Sequence, residues 1–392
     1  MPNTLLTPDM ITREALRVLH QKLTFVGSIN RAYDNSFAAS GAKIGDTLRI
    51  RLPNQYTVRT GATLSAQDVA EQNTTLVVNN QRGVDMSFTS VDLTLDIDDF
   101  SKRFITPAMA VLSASIEADA LNMVKDVYQA ANNIGNDITF KNVMLGRKRL
   151  NDSLTPEGDR TALLNTNDNV NLVDTLKGLF QDSNAIKEQY REGMMGRTGG
   201  FDFYETTHLT TQARGAANGS YLSNGATQTG SAIVIDTGTG AINAGEIVTF
   251  GGVFEVHPET KVSSGRLQQF VVTANYAGGG GTLNISPAIV ATGARQNVSN
   301  SVADNSAMTV VGTANTAYGQ SIVYHKDAFT FATADLVLPG GVDMASRQTY
   351  DGISMRMIRQ YDINNDAFPV RLDVLYGYKT LRAQLAARLL NN

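Results

Sequence analysis

TPAMAVLSASIEADALNMVKDV, residues 106–127, decides the fold. A threonine caps a helix by accepting a backbone N–H, and proline suits the first helical position, where its missing N–H costs nothing. Met109, Leu112, Ile116, Ala120, Met123 and Val127 then recur every three or four residues, which makes one continuous apolar stripe. Asn132-Asn133 and Gly135 end the run. A helix of roughly 25 residues is about 38 Å long, a length that suits the backbone of an elongated subunit.

Upstream, the apolar period changes to two. Leu48, Ile50 and Leu52 alternate with Thr47, Arg49 and Arg51; Val84, Met86 and Phe88 alternate with Asp85 and Ser87; Val91, Leu93, Leu95 and Ile97 alternate with Asp92, Thr94 and Asp96. This is the signature of strands with one apolar and one wet face. Between the first strand and the rest lies a polar stretch, Asn54 to Thr75, expected to be a long loop. Before these strands, residues 1–40 read as an arm with one short helix, capped by Thr12 and striped by Ala15, Leu16, Leu19 and Leu23.

Downstream, residues 138–222 are mixed. Val173, Leu176, Leu179 and Phe180 suggest a helix behind the polar cap NTNDN, and Ile186 to Glu192 a second. Composition then shifts: residues 225–285 hold 12 of the 34 glycines and only six charged residues. Short runs at Ile233–Ile235, Ile247–Phe250, Val253–Val256, Phe270–Thr273 and Leu283–Ile285 are punctuated by Gly and Asn. That pattern predicts a small β-sandwich or barrel inserted into an α+β domain. At the end, Ile353 to Ile358 and Val370, Leu372, Val374 and Tyr376 read as a strand pair joined by a turn, Tyr361 to Asp366. Leu381, Leu385 and Leu389 suggest a terminal helix.

The 392 residues allow two to three domains, and 42% hydrophobic content is too high for a disordered polypeptide. No run of about 18 apolar residues predicts a membrane span, and the N-terminus lacks a secretory pattern. There is no cysteine, which removes disulfides and thiolate sites and fits a reducing cytoplasm. The net charge of −4 argues against a dedicated nucleic-acid binder, but it is uneven: +4 in residues 1–60, +3 in residues 347–392 and −11 between them. Such asymmetry suggests surfaces facing different partners.

In order, these parts are an arm, a long two-stranded loop, a spine helix, an α+β domain interrupted by a β-barrel, and a closing sheet. That order resembles the HK97-like coat-protein fold of tailed double-stranded-DNA phages. More narrowly, it is similar to the P22-type podophage coat proteins, which carry an inserted I-domain. GGFDFYETTHLTTQARG (Gly199 to Gly215) resembles the segment leading into the insertion. NAGEIVTFGGVFEVHP (Asn243 to Pro258) and LQQFVVTANYAGGGGTLNISPAIV resemble its core strands. GISMRMIRQYDINNDAFPVRLDVLYGYKTLRAQLAARLL (Gly352 to Leu390) resembles the terminal strand pair and tail.

The resemblance implies an N-terminal arm over 1–43, an E-loop over 44–97, a P-domain with the spine helix over 98–140 and an A-domain over 141–222. It places the inserted barrel at 223–317, and the closing strands with a C-terminal helix at 318–392. It implies a major capsid protein made in the bacterial cytoplasm and resident in the virion shell. The partners would be itself in hexamers and pentamers, a scaffolding protein, a portal protein and non-specifically packaged DNA, without a membrane. Leu48, Arg49, Ile50, Arg51, Leu52 and Arg59 would contact a neighbouring subunit. Arg13, Arg17 and Lys22 would face scaffold or DNA. With a strand starting by Thr47, no fused helical scaffold of about a hundred residues fits before the E-loop, so the scaffold is expected to be separate. No lysine lies between Lys43 and Lys102 to crosslink that loop.

Catalytic, cofactor and metal sites are not expected. The four histidines, His20, His208, His257 and His325, lack metal spacing, and no HExxH is present. Asp362-x-Asn364-x-Asp366 starts like a calcium loop but has Ala367 where the sixth-position glycine belongs, and Pro369 intrudes. Asp96, Asp98 and Asp99 could gather a cation, but more simply form a solvated strand end. Gly238-x-Gly240 and Gly278–Gly281 precede no helix, which phosphate binding needs. Without a GxSxG elbow a hydrolase is disfavoured. A β-rich surface protein, such as an adhesin or S-layer unit, is the other structural class, opposed by the missing signal and the long helix.

Overall fold

The computed structural model describes residues 8–32, 46–59, 61–64, 66–67, 71–88, 101–176, 196–363 and 367–391. The protein forms helix α1 (Pro8–Lys22), the single turn α2 (Phe25–Ser28), strands β1 (Asp46–Leu52), β2 (Gln72–Val78) and β3 (Asn80–Phe88), and the spine helix α3 (Thr106–Leu121). Next come β4 (Ala130–Asn132), α4 (Phe140–Asp152), β5 (Arg160–Leu164), α5 (Thr166–Leu176), β6 (Arg197–Thr198), β7 (Phe201–Glu205) and β8 (Gln212–Ala213). A strand-only stretch follows: β9 (Leu222–Ser223), β10 (Gly230–Asp236), β11 (Ile247–Phe250), β12 (Phe254–Val256), β13 (Ser263–Leu267), β14 (Phe270–Val272), β15 (Gly281–Ile289) and β16 (Met308–Val310). Last come β17 (Ala317–His325), β18 (Phe329–Ala334), β19 (Met344–Tyr350), β20 (Ile353–Arg359), β21 (Phe368–Thr380) and β22 (Ala386–Asn391). The class is α+β, as expected. The predicted strand Val91–Ile97 with Asp96, Asp98 and Asp99, the helix Ile186–Glu192, Leu179 with Phe180, and Asn364 to Asp366 lie outside the described residues.

Two compact units emerge. The first takes Met1–Arg51, Asn73–Leu121 and Phe329–Leu381. Its centre is the long strand β21, paired with β3 along one edge and with β18 and β20 end to end along the other; β19 adds to β20. Helices α1 and α3 pack against each other, and α1 covers β19 and β20. The stripe Met109, Leu112, Ile116 and Ala120 is buried, as its spacing required, and so are Ala15, Leu16, Leu19 and Leu23 of the arm. The run Ser101–Asp126 is long and apolar enough to cross a membrane by composition, but half of its most apolar window is buried inside the protein, as in a core helix.

Both helix starts differ from the sequence reading. Helix α1 begins at Pro8, so Thr12 is no cap; it is a buried residue inside the helix. A proline and an aspartate in the first turn supply the start expected of Thr12. Thr106 does open α-geometry, but a π turn, Ser101–Ile105, runs into it. Pro107 has no N–H for the preceding turn, and the wider π turn accommodates that gap. At the far end the helix tightens to a 3₁₀ turn, Asn122–Asp126.

The second unit takes Leu52–Gln72, Asn122–Ala328 and Arg382–Asn392. One sheet runs β4-β22-β17-β5-β7-β6, with β8 also on β17. Its core gathers Ile138, Val143, Leu150, Leu164, Leu172, Phe201, Val323 and Leu389. Helix α4 lies close on this sheet at Gly146, where a Cβ would stand 2.8 Å from Val323 Cγ2 and 2.9 Å from Leu389 Cδ2.

A second sheet runs β16-β11-β14-β15-β10-β9. A bridge between Leu222 and Ala307 and the bond from Met308 N to Tyr221 O (2.9 Å) join its two edges, closing a small barrel. Ile233, Ile235, Phe250, Phe270, Leu283 and Ile285 fill it, with Ala217 and Tyr221. The runs read as strands from the glycine-punctuated sequence supply these inward residues.

The expected C-terminal helix is absent. Leu385 ends a 3₁₀ turn, Ala383–Leu385, and Leu389 belongs to strand β22. All six residues of β22 are buried, between β4 and β17. A strand buried on both faces shows no alternation, so leucines four apart imitate a helical stripe.

Candidate assembly surfaces

The β1–β2 hairpin divides its residues between inside and outside. Strand β1 places Ile50 in a cluster with Leu76, Val78, Ala332, Ala334, Leu336 and Leu375, and Leu48 packs against it. Leu52 is partly exposed, while Arg49 and Arg51 are exposed on the opposite face. Of the residues expected to touch a neighbour, Ile50 is thus occupied within its own subunit. The large apolar side chains that reach outward come instead from the loop beyond β1. Tyr56, Val58 and Leu64 are 60%, 94% and 85% exposed, a concentration of open apolar surface that polar neighbours concealed in the sequence. Thr57 N donates to Gln67 Oε1 (2.8 Å) and Gln67 Nε2 donates back to Thr57 O (2.6 Å), closing a ring across the loop. Arg59 donates to the Gly61 carbonyl inside it.

Arg13 and Arg17 lie on the exposed face of α1, opposite its buried stripe, and Lys22 is exposed at the end of its last turn. Arg17 holds both oxygens of Glu14, at 2.6 and 2.9 Å, so its charge is largely spent within the helix. Those bonds keep the Glu14 carboxyl below its ordinary pKa. The helix is pinned to the sheet at both ends. Asp9 accepts from Ser346 (2.5 Å) and Gln348 (3.2 Å), which lowers its pKa. Asp351 accepts from Arg31 (2.8 Å) and sits 2.6 Å from His20 Nε2; these bonds, Arg31's first, hold its carboxyl low.

Sequence reasoning missed the buried polar groups. Glu117 on α3 is 2% exposed, and its oxygens accept the N–H groups of Phe25 and Val26 at 3.1 Å each, capping the arm's turn α2. Burial outweighs those bonds and pushes its pKa up to about 7. In the second unit, Arg266 donates to Asp152 (2.6 Å) and Glu255 (3.1 Å), and Arg149 reaches Glu255 at 3.4 Å. This cluster ties hairpin β12–β13 to helix α4. Arg388 is fully buried in β22 and donates to the Gly245 carbonyl (2.8 Å); desolvation lowers its pKa to about 10. Apart from Arg266 and Glu255 on one hairpin, these partners lie 91 to 143 residues apart, and no local pattern marks them.

His257 accepts backbone N–H groups from Glu259 and Thr260 in its own turn, and His325 is buried, which lowers its pKa. Asp362 pairs with Ala367 in the turn whose sequence starts like a calcium loop. Among the described residues, no group of three or more His, Asp and Glu is placed to hold a metal ion.

The model of a family described as "P22 coat protein - gene protein 5" matches residues 27–388. No curated protein matches in sequence. Among solved structures, one of Mycobacterium phage Che8 is 11% identical with a TM-score of 0.48, covering 94% of this chain and 90% of that one. The asymmetric unit of the bacteriophage PhiM1 mature capsid is 9% identical with a TM-score of 0.44, over 88% and 82%. The capsid structure of Helicobacter pylori bacteriophage KHP30 is 9% identical with a TM-score of 0.39, over 100% and 93%.

Proposed function

We propose, because the protein belongs to the P22 coat-protein family, that it builds a closed icosahedral shell around phage DNA, with a separate scaffolding protein guiding assembly. Family membership makes it a phage major capsid protein of the HK97-like fold, a structural component of the virion. The finer reading gives pentamers and hexamers of this subunit, a portal protein at one vertex, and assembly in the host cytoplasm.

The observation that carries the shell reading is the division of labour in the β1–β2 hairpin. Its base is anchored by Ile50, and its loop presents Tyr56, Val58 and Leu64 to solvent. A lone subunit gains nothing from exposing them. Covered by a neighbour, each contributes roughly 1.5–3 kcal/mol, and repetition over a shell multiplies the effect. Arg49 and Arg51 on β1, and Arg59 in the loop, are exposed and can reach a neighbour's carboxylates. Between Lys43 and Lys102 the sequence has no lysine, so the loop has no amine to offer an isopeptide bond, and apolar burial is the contact we propose.

Co-expression with the cognate scaffolding protein should give particles that sediment as shells. After boiling in detergent they should run as single polypeptides. Protein that stays monomeric beside the scaffold opposes the shell reading, and a ladder of multimers opposes the non-covalent contact.

A further inference from the structure

Asn218-Gly219 and Asn224-Gly225 stand on either side of β9, where the barrel begins. Glycine has no Cβ to shield its amide nitrogen, which can therefore approach the Cγ carbonyl carbon of a preceding asparagine. If that nitrogen loses its proton and bonds to Cγ, the Cγ–Nδ2 bond breaks. Ammonia leaves with the proton, and a succinimide ring remains. Water then adds to either ring carbonyl and opens the ring, giving aspartate or isoaspartate. No oxidant or enzyme is required.

The two sites differ in what holds these atoms. Asn218 and Gly219 are exposed and belong to no strand or helix. Gly219 has φ +85°, and open space lies where a Cβ would be. Ser220 Oγ donates to Asn218 Oδ1 at 2.7 Å, which draws electrons from Cγ and favours attack there. At the second pair, the Gly225 N–H is held by Asp304 Oδ1 at 2.8 Å, so a charged acceptor keeps the proton on the nitrogen that must lose it. Asn224 N is bonded to Val234 O (2.9 Å), and its carbonyl accepts from Gln228 Nε2 (3.2 Å).

We infer that Asn218 is a self-modification site that converts to aspartate and isoaspartate in the folded protein, while Asn224 is protected by its hydrogen bonds. The place gives the reaction a consequence. Asn218, Gly219 and Ser220 link Ala217 to Tyr221, both buried in the barrel core. Ala217 N is tied to Ala241 O (3.1 Å) and Tyr221 Oη to Gly240 O (2.6 Å). Isoaspartate adds a backbone methylene to this short link, and either product adds a negative charge. Older subunits thus carry a slacker, more acidic entry to the barrel than new ones.

The test is to incubate the full-length protein in water enriched in heavy oxygen, at neutral and mildly alkaline pH, and to map the peptides by mass spectrometry. Label should enter at position 218 roughly tenfold to hundredfold faster than at 224, the cost of breaking a bond to a charged acceptor. The rate at 218 should rise with pH, because the glycine N–H must lose its proton. In denaturant the two rates should converge. Asn218→Gln should abolish labelling there, and Ser220→Ala should slow it without altering Asn224. Equal rates in the folded protein, no label at 218, or a difference that persists in denaturant would each overturn the assignment.

Discussion

Replacing Ile50 should damage the fold, whereas replacing Val58 and Leu64 should damage only assembly. Ile50 is 5% exposed and packs among Leu76, Val78, Ala334 and Leu375. Ile50→Ala removes buried methyl groups and leaves a cavity, a change that costs about 2–5 kcal/mol. At about 3 kcal/mol, and roughly 2–4 °C per kcal/mol for a domain of this size, the melting temperature of the isolated subunit should fall by about 6–12 °C. Val58 and Leu64 are 94% and 85% exposed, so Val58→Ser with Leu64→Ser loses almost no buried contact and should move stability by less than about 0.5 kcal/mol. In scaffold-driven assembly the order reverses. The double loop variant forfeits apolar contacts worth a few kcal/mol per subunit and should yield few shells by sedimentation. If it melts and assembles like the parent, the loop is no contact surface. If Ile50→Ala melts unchanged, the packing described for β1 is wrong.

Three further outcomes follow from the polar groups. Glu117 has a folded pKa of about 7 against an ordinary 4.5, so the folded protein holds this proton more tightly than the unfolded state does. Its contribution is fully present below about pH 4.5 and is lost as pH rises through 7, a difference of roughly 3 kcal/mol that Glu117→Gln should abolish in unfolding curves measured across that window. Arg266→Ala leaves Asp152 and Glu255 without their shared donor and should cost about 1–2 kcal/mol in denaturant melts, less at high salt because the cluster is partly exposed. Neutralising Arg13, Arg17 and Lys22 together should weaken scaffold binding at low salt, Arg13 and Lys22 contributing most because Arg17 is engaged by Glu14; unchanged titration curves at low salt would remove α1 from that surface.

What could be read in advance depended on whether burial was one-sided. The spine stripe and the barrel strands bury one face each, so their periods survive in the sequence, and glycines mark the barrel's turns. Strand β22 is buried on both faces, and its leucines mimic a helical stripe. Leu48, Ile50 and Leu52 marked the strand but not that Ile50 joins its own subunit's core, because alternation looks the same whether the apolar face meets its own core or a neighbour. Thr12 and Thr106 are good caps by chemistry, yet helical geometry begins upstream of both, at Pro8 and at Ser101. The Arg149–Glu255–Arg266–Asp152 cluster and the Glu117 cap join segments far apart in sequence, and only folding brings them together.

A shell subunit held by its β1–β2 loop is tested most directly by electron cryomicroscopy of the protein co-expressed with a cognate scaffolding protein. Closed icosahedral particles, with density for Tyr56, Val58 and Leu64 covered by an adjacent subunit, are the expected result. Open sheets, monomers, or shells in which that loop stands free in solvent would contradict it.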